Sequence, residues 1–331
     1  LDQWLFGDWL LPESAPRGAV HLFGASIGAW RMAAACLPKP RQAFAELEHA
    51  YIHQGYDVEP GRKTPTPDHV SERVASAIDT FFGEDLDRLL QHSHYRLHIL
   101  TSRGLGLLAR EGRWRTPAGY AAAWFANAAA RPAMGRLLER VVFSDPRAGL
   151  PIQVNDYRTR QVHLGMHNLK LALVASCAIP FVLRAVHDIP HAPRGAYWDG
   201  GITDYHLHLN WASLAPDPTT PNSPKLVIYP HFQRALVPGW LDKPWKRRHR
   251  SSAMLDNVIV FSPDPSWVKR LPNGKLPDRS DFARYGKDLA ARVKAWSQAT
   301  AESQRLADEA AAWASLASRD PDLALRQVKP L

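Results

Sequence analysis

Ser26 stands in Gly24-Ala25-Ser26-Ile27-Gly28, a G-x-S-x-G arrangement between a short apolar run, Ala19 to Gly24, and a helix-forming stretch, Ile27 to Leu37. A serine at a sharp strand-to-helix turn projects its oxygen above the sheet, and the glycines two positions to either side read as the small neighbours such a turn requires. The helix amino terminus beneath it favours the negative charge that develops during acyl transfer, so the spacing suits a serine nucleophile. Near neutral pH a hydroxyl attacks poorly without a base to take its proton. Candidate bases are numerous: 15 histidines are scattered along the chain, and Asp199 opens Asp199-Gly200-Gly201 directly after a strand-like run. Two glycines let the backbone turn tightly at a strand end, where a carboxylate faces a site at the carboxyl edge of a sheet, although Asp-Gly-Gly also serves as an ordinary turn.

The elements that must position these groups alternate between strand and helix. Leu1 to Leu11 reads as the end of an amphipathic helix, and Ala19 to Gly24 as a strand feeding the helix closed by Pro38. Helical spacing of Phe44, Leu47 and Tyr51, and of Val70, Val74, Ile78 and Phe81, predicts two covering helices around the proline-rich connector Glu59 to Pro67. Tyr95 to Thr101 alternates as a strand and ends at Gly104 and Gly106, after which Gly119 to Ala130 and Met134 to Arg140 read as helical. Val162 to Leu164, Ala196 to Trp198, Lys225 to Tyr229 and Asn257 to Phe261 are further strand candidates, with Ala215 to Pro224, holding four prolines, as a loop. Such alternation predicts an α/β sheet covered by helices. Beyond it, Phe282, Tyr285, Leu289, Val293 and Trp296 form one amphipathic stripe and Leu306 to Leu316 another, predicting one long helix or two meeting near Ser297 to Thr300, packed on the sheet domain.

Composition narrows the class further. With 331 residues, 45% hydrophobic and 22% charged, the chain has globular composition, and the length allows one or two cores. Cys36 and Cys177, 141 positions apart, provide neither a zinc cluster nor a disulfide framework, and both are expected reduced and buried. No apolar run approaches the roughly 18 residues that span a bilayer, since Ala118 to Ala130 is small-residue helix interrupted by Asn127. The net charge of +9 is uneven: Arg234 to Arg250 carries six basic residues against Asp242 alone, together with Trp240 and Trp245. That tract reads either as a solvated loop or as a patch that meets an anionic membrane, and the tryptophans suit a lipid interface. Nucleic acid is not expected, because the tract shows no recognition helix and no aromatic-basic sheet motif. Arg31 and Arg184 read as surface or packing residues, and His206 and His208, two apart, as sharing one face of a strand without enough ligands for a metal.

Taken in order, Gly24 to Gly28, Ala175-Ser176-Cys177-Ala178-Ile179-Pro180 and Asp199-Gly200-Gly201 resemble the patatin-like phospholipases over roughly residues 1 to 230. The resemblance implies a three-layer α/β/α sheet; the hydrolase domain is expected over 1–270, and a C-terminal helical extension packed on it, for which the family offers no counterpart, over 271–331. It also implies a dyad, Ser26 as nucleophile and Asp199 as base, with no histidine, metal or cofactor. Gly24, Ile27, Gly28, Gly200 and Gly201 then shape the two turns. Acyl lipid is the implied substrate, and a cytoplasmic or peripheral-membrane location the expected one. The family's glycine-rich oxyanion loop has no match before Ser26, where only Gly7, Gly18 and Gly24 occur and the chain opens on Leu1, so the first β-loop-α unit is expected to be missing. Two alternatives stand beside this reading. One is an α/β-hydrolase with a Ser26, Asp199 and histidine triad drawing on His206, His208 or His231, and the other a noncatalytic membrane- or anion-binding protein on the same fold.

Overall fold

A computed structural model describes residues 1–10, 18–56, 61–62, 64–216 and 225–329. Parts of both proline-rich connectors, at 59–67 and 215–224, and the reading of Leu11 lie outside these residues. The opening helix is α1 (Asp2–Trp4), continued by a π-helical turn at Leu5–Trp9. A single residue, Ser26, joins β1 (Val20–Ala25) to α2 (Ile27–Ala35). Pro40 and Pro67 start α3 (Pro40–His53) and α4 (Pro67–Phe82), where a fixed φ helps and no N–H is needed, and the Thr66 hydroxyl accepts from the His69 N–H to cap α4. Next come β2 (Tyr95–Gly104), α5 (Arg115–Ala129), β3 (Leu138–Ser144), β4 (Thr159–His163), α6 (Leu169–Ser176), β5 (Val186–His187), β6 (Ala196–Asp199) and α7 (Gly201–Asp204). The remainder holds β7 (Val227–Pro230), β8 (Val258–Phe261), α8 (Pro265–Val268), α9 (Ser280–Tyr285), α10 (Leu289–Glu302), α11 (Gln304–Arg319) and α12 (Pro321–Gln327).

The main sheet is mixed, in the order β4-β3-β2-β6-β5, with β1 also on β2. One edge of β2 takes β3 antiparallel, from His98↔Ser144 to Gly104↔Leu138. Two strands share the other edge. β1 runs parallel along Tyr95 to Leu100, ending at Ala25↔Leu100, and β6 runs antiparallel along Arg103 to Thr101, ending at Asp199↔Thr101. The carboxyl ends of β1 and β6 therefore meet head to head beside the middle of β2. β7 and β8 form a separate parallel pair.

Alternate residues of the sheet enter different cores, as strand geometry requires. Leu22, Leu97, Ile99, Val141 and Phe143 pack with Ala29 of α2, Phe44 of α3, Ile78 of α4 and Leu173 of α6. Leu100 and Val142 face the opposite way, toward Trp211, Leu236 and Leu255, with Phe23, Val227 and Tyr229 against them. Tyr120 of α5 closes a third cluster with Leu138, Trp198 and Ile202. Both faces of the central strands are thereby buried, which explains why β2 and β3 read as nearly continuous buried segments.

Three expectations are corrected. Met134 to Arg140 is not helical: Arg131–Arg136 is a 3₁₀ turn, and Leu138 opens β3, whose charged Glu139 and Arg140 are buried and paired, hiding the strand pattern. The C-terminal stripe breaks earlier and later than the predicted junction, at Gly286, where φ is +54°, and at Ser303 between α10 and α11. His206 and His208 lie in a loop after α7, not on a strand. The helical C-terminal stretch does pack on the rest, through Ala295 and Trp296 of α10 against Ile52 of α3 and through Trp313 of α11 edge-on to Phe261 of β8.

Candidate active site

Ser26 occupies a backbone conformation that L-residues rarely adopt, φ 55° and ψ −135°. Holding a non-glycine there costs on the order of 1–3 kcal/mol, so the surroundings must over-determine it. They do so from three sides. The Ser26 carbonyl accepts the Ala29 N–H at 2.9 Å, beginning α2, and the Ser26 N–H donates to the Ser176 Oγ at 2.9 Å. At Gly24 a side chain would lie 2.5 Å from the backbone of Ala29 and Gly28, so only glycine fits beneath the turn. The matching expectation for Gly28 fails, since a Cβ there meets nothing within 4 Å. Gly28 leaves open space beside the serine instead of relieving a clash.

Asp199 ends β6 and reaches Ser26 directly: the Ser26 Oγ donates to its Oδ2 at 2.7 Å. The Gly201 N–H holds the other oxygen at 2.6 Å, and Gly200 is pressed so close to β2 that a Cβ would sit 2.2 Å from the Leu100 carbonyl oxygen. Only 5% of Asp199 is exposed. Burial raises its carboxyl to about 6, and the Ser26 and Gly201 hydrogen bonds, with the Arg279 charge, offset part of that rise. A carboxylate with this affinity for protons, in contact with a hydroxyl, is suited to act as a base near neutrality. The Cys177 thiol is pushed up by burial and by the Asp199 charge, which keeps it in the unreactive protonated form.

Ser176 is the positioning residue that the sequence reading quoted only as part of a segment. Its Oγ donates to the Leu100 carbonyl at 2.7 Å while accepting from Ser26, and its own carbonyl accepts the Gly200 N–H at 3.2 Å. One serine at the end of α6 thus ties the Ser26 turn and the Asp199 turn to the same point on β2. The available signal was a polar residue closing the apolar run Leu171-Ala172-Leu173-Val174-Ala175. Ser176→Ala leaves the Ser26 N–H and one Leu100 lone pair without their partner, and is expected to lower unfolding stability by about 1–3 kcal/mol. Urea denaturation measures it, and a loss below about 0.5 kcal/mol would mean the turn is held without this serine.

Ser26 and Asp199 line a cleft of about 2520 Å³ whose wall also includes Ile27, Ile179, Pro180, Tyr205, Phe232 and Trp240. The histidines proposed as alternatives lie elsewhere in the hydrogen-bond pattern. The His206 Nδ1 meets the Val237 N–H at 2.9 Å, the His231 Nδ1 contacts the Gln233 carbonyl, and the two rings pack against each other at 4.3 Å. Burial pushes His206 down to about 3 and lowers His208 and His231, which disfavours the charged form of all three. Among the described residues no group of three His, Cys, Asp or Glu could hold a metal ion. Arg31 pairs with Asp2, and Arg184 with Asp68 and Glu111, as the packing reading of both expected. In the basic tract, Arg248 is drawn inward to the buried Asp242, whereas Lys246, Arg247 and Arg250 are exposed. No helix of the described residues is long and apolar enough to cross a membrane. No protein-family model matches the chain, and comparison with curated proteins returns no match.

Proposed function

We propose that this chain is a patatin-like serine acyl hydrolase that cleaves carboxylic ester bonds of phospholipids or related acyl lipids through Ser26 and Asp199. The observation that carries the reading is the 2.7 Å hydrogen bond from the Ser26 Oγ to the Asp199 carboxylate, with no histidine between them. The mixed sheet with apolar clusters on both faces supports the three-layer arrangement that belongs to this reading. A strained serine at a strand-to-helix turn, as at Ser26, is the geometry that exposes a nucleophile.

In the first half-reaction Asp199 takes the Ser26 proton as the Oγ bonds to the ester carbonyl carbon. The carbonyl π electrons move to oxygen, and that oxyanion faces the amino terminus of α2. The N–H groups of Ile27 and Gly28, the first two of that helix, serve as its donors, and the open space at Gly28 gives the oxygen room to approach. Collapse breaks the bond to the alcohol, which leaves with the proton from Asp199. Water then gives a proton to Asp199 and adds to the acyl carbon. The Ser26 Oγ departs, recovers that proton, and the fatty acid is released.

A raised carboxyl makes this scheme pH-dependent in a defined direction. The base acts only when ionised, so the rate of acylation is expected to rise about tenfold per pH unit below about 6 and to level above it. Fluorophosphonate labelling followed by mass spectrometry tests both parts: the adduct should map to Ser26, with this pH profile. Labelling confined to another residue, or a rate that is flat from pH 4 to pH 8, would remove the dyad.

A further inference from the structure

α5 buries one face through Thr116, Gly119, Tyr120, Ala123 and Asn127, and leaves the other uncovered. Along the uncovered side, Trp114, Ala118, Ala121 and Phe125 step by 4, 3 and 4, so they form one stripe on a helix. The two aromatics are the most exposed large apolar side chains among the described residues, Trp114 at 78% and Phe125 at 66%. Leu107, in the turn that packs under Gly119, and Phe181, whose ring meets Tyr120 at 6.0 Å, are further exposed apolar side chains at the flanks of the buried face of α5. Exposed apolar groups this concentrated mark a docking surface.

Charge decides what docks. From Gly112 to Leu138 the chain has four arginines and no carboxylate. Arg110, Arg113 and Arg115 surround the amino end of α5 and are exposed. At its other end sits the basic turn: the Trp245 ring packs tilted against Trp124, centroids 5.6 Å apart, and Arg248 donates to the Ala128 carbonyl, which places the exposed Lys246 and Arg247 beside the helix. The acidic groups that bound α5 are committed, Glu111 to Arg184, Asp156 to Arg131 and Arg140, and Asp242 to Arg131 and Arg248. An apolar aromatic strip framed by arginine and lysine matches the acyl boundary and the anionic headgroups of a lipid surface.

We infer that the uncovered face of α5, with the Lys246–Arg247 turn, seats this protein on anionic membranes, α5 lying in the plane of the interface. Phe181 directly follows Ile179 and Pro180 of the cleft wall and meets Tyr120, so α5 packs beside the segment that forms part of the Ser26 cleft. The inference stands whether or not the chain cleaves esters, because it rests on a different surface.

The test is sedimentation with vesicles of phosphatidylcholine containing phosphatidylglycerol, and with phosphatidylcholine alone. The wild type is expected to bind the anionic vesicles and to be released by added salt. Trp114→Ala with Phe125→Ala should lower the partition coefficient about tenfold or more. Lys246→Glu with Arg247→Glu should weaken binding at low salt and flatten its salt dependence. Matching melting temperatures exclude misfolding, since all four side chains are exposed. Wild-type protein that stays in solution with anionic vesicles at low salt would overturn the inference, as would undiminished binding of the double aromatic variant. A concentration-dependent dimer lost in that variant, without vesicle binding, would assign the face to a second copy and likewise overturn it.

Discussion

Ser26→Ala is expected to abolish fluorophosphonate labelling and to lower ester turnover by about 10⁴–10⁶-fold, and Asp199→Asn to lower it by about 10⁴-fold. In the proposed mechanism the first removes the atom that bonds to the acyl carbon. The second keeps the shape of the site but provides no lone pair able to take the serine proton. His206→Asn, His208→Asn and His231→Asn, made singly, are expected to stay within about tenfold of the parent, because none of these rings touches Ser26 or Asp199 in the hydrogen-bond pattern. A loss of 10³-fold or more in one folded histidine variant would replace the dyad by a triad, and labelling that survives in Ser26→Ala would move the nucleophile elsewhere.

Asp199→Asn has a second consequence that separates catalysis from folding. In the unfolded chain the carboxyl ionises near 4, whereas burial holds it at about 6 in the fold. The folded state thus binds the proton more tightly, and the group favours folding most below pH 4. That advantage is lost as pH rises from about 4 through 6, leaving a cost on the order of 2–3 kcal/mol at neutral pH. An amide carries no such charge, so the inactive variant is expected to melt higher than the parent at pH 7 and at nearly the same temperature at pH 4. Calorimetry at the two pH values checks this sign. A variant that melts lower at pH 7 would mean the carboxylate is better solvated than its burial implies.

The largest expected loss of stability is at Arg140. Its guanidinium is fully buried, donating to both Asp204 oxygens at 2.8 and 2.5 Å and to Asp156 at 2.7 Å, with its plane 4.3 Å from the Tyr157 ring centroid. Arg131 also approaches Asp204, at 3.5 Å, but Arg140 makes the closer bidentate contact. Arg140→Ala strands a carboxylate that is 1% exposed, and is expected to cost about 3–5 kcal/mol. Breaking such a pair is costly even though forming it adds little net stability, because the remaining charge has nowhere to be solvated. Asp204 ends α7, and its N–H donates to the Gly200 carbonyl, so the loss should also loosen the turn that carries Asp199. Urea midpoints measure the effect. Arg140→Lys, which keeps the charge but not the fork, should recover only part of it. A loss below about 1 kcal/mol for the alanine variant would mean that Arg131 alone compensates Asp204.

Local pattern carried much of the fold. Strands at Val20–Ala25, Tyr95–Gly104, Ala196–Asp199, Val227–Pro230 and Val258–Phe261 fall where apolar runs or alternation predicted them, whereas Thr159–His163 shares only Val162 and His163 with the run Val162 to Leu164. β3 was hidden because its Glu139 and Arg140 are buried charges, and a pattern reader takes charge as a sign of exposure. The two-residue β5 is too short to show any period. In the helical tail the apolar stripe ran on through the breaks, since hydrophobic spacing records which face is buried and not whether the axis is continuous.

What the amino-acid order determined by itself is the pair of turns. Gly24 must be bare because the helix begins directly above it, and Gly200 because it lies on a strand, so each turn can be read from its glycines and the residue they frame. What only the tertiary structure decided is that the turns meet. Ser26 and Asp199 are 173 positions apart, and they touch because β1 and β6, running in opposite senses, end against each other on one edge of β2, clasped by Ser176. Strand order and sense follow from which apolar faces bury one another across the whole chain, a sum of many weak contacts that no local run of residues encodes.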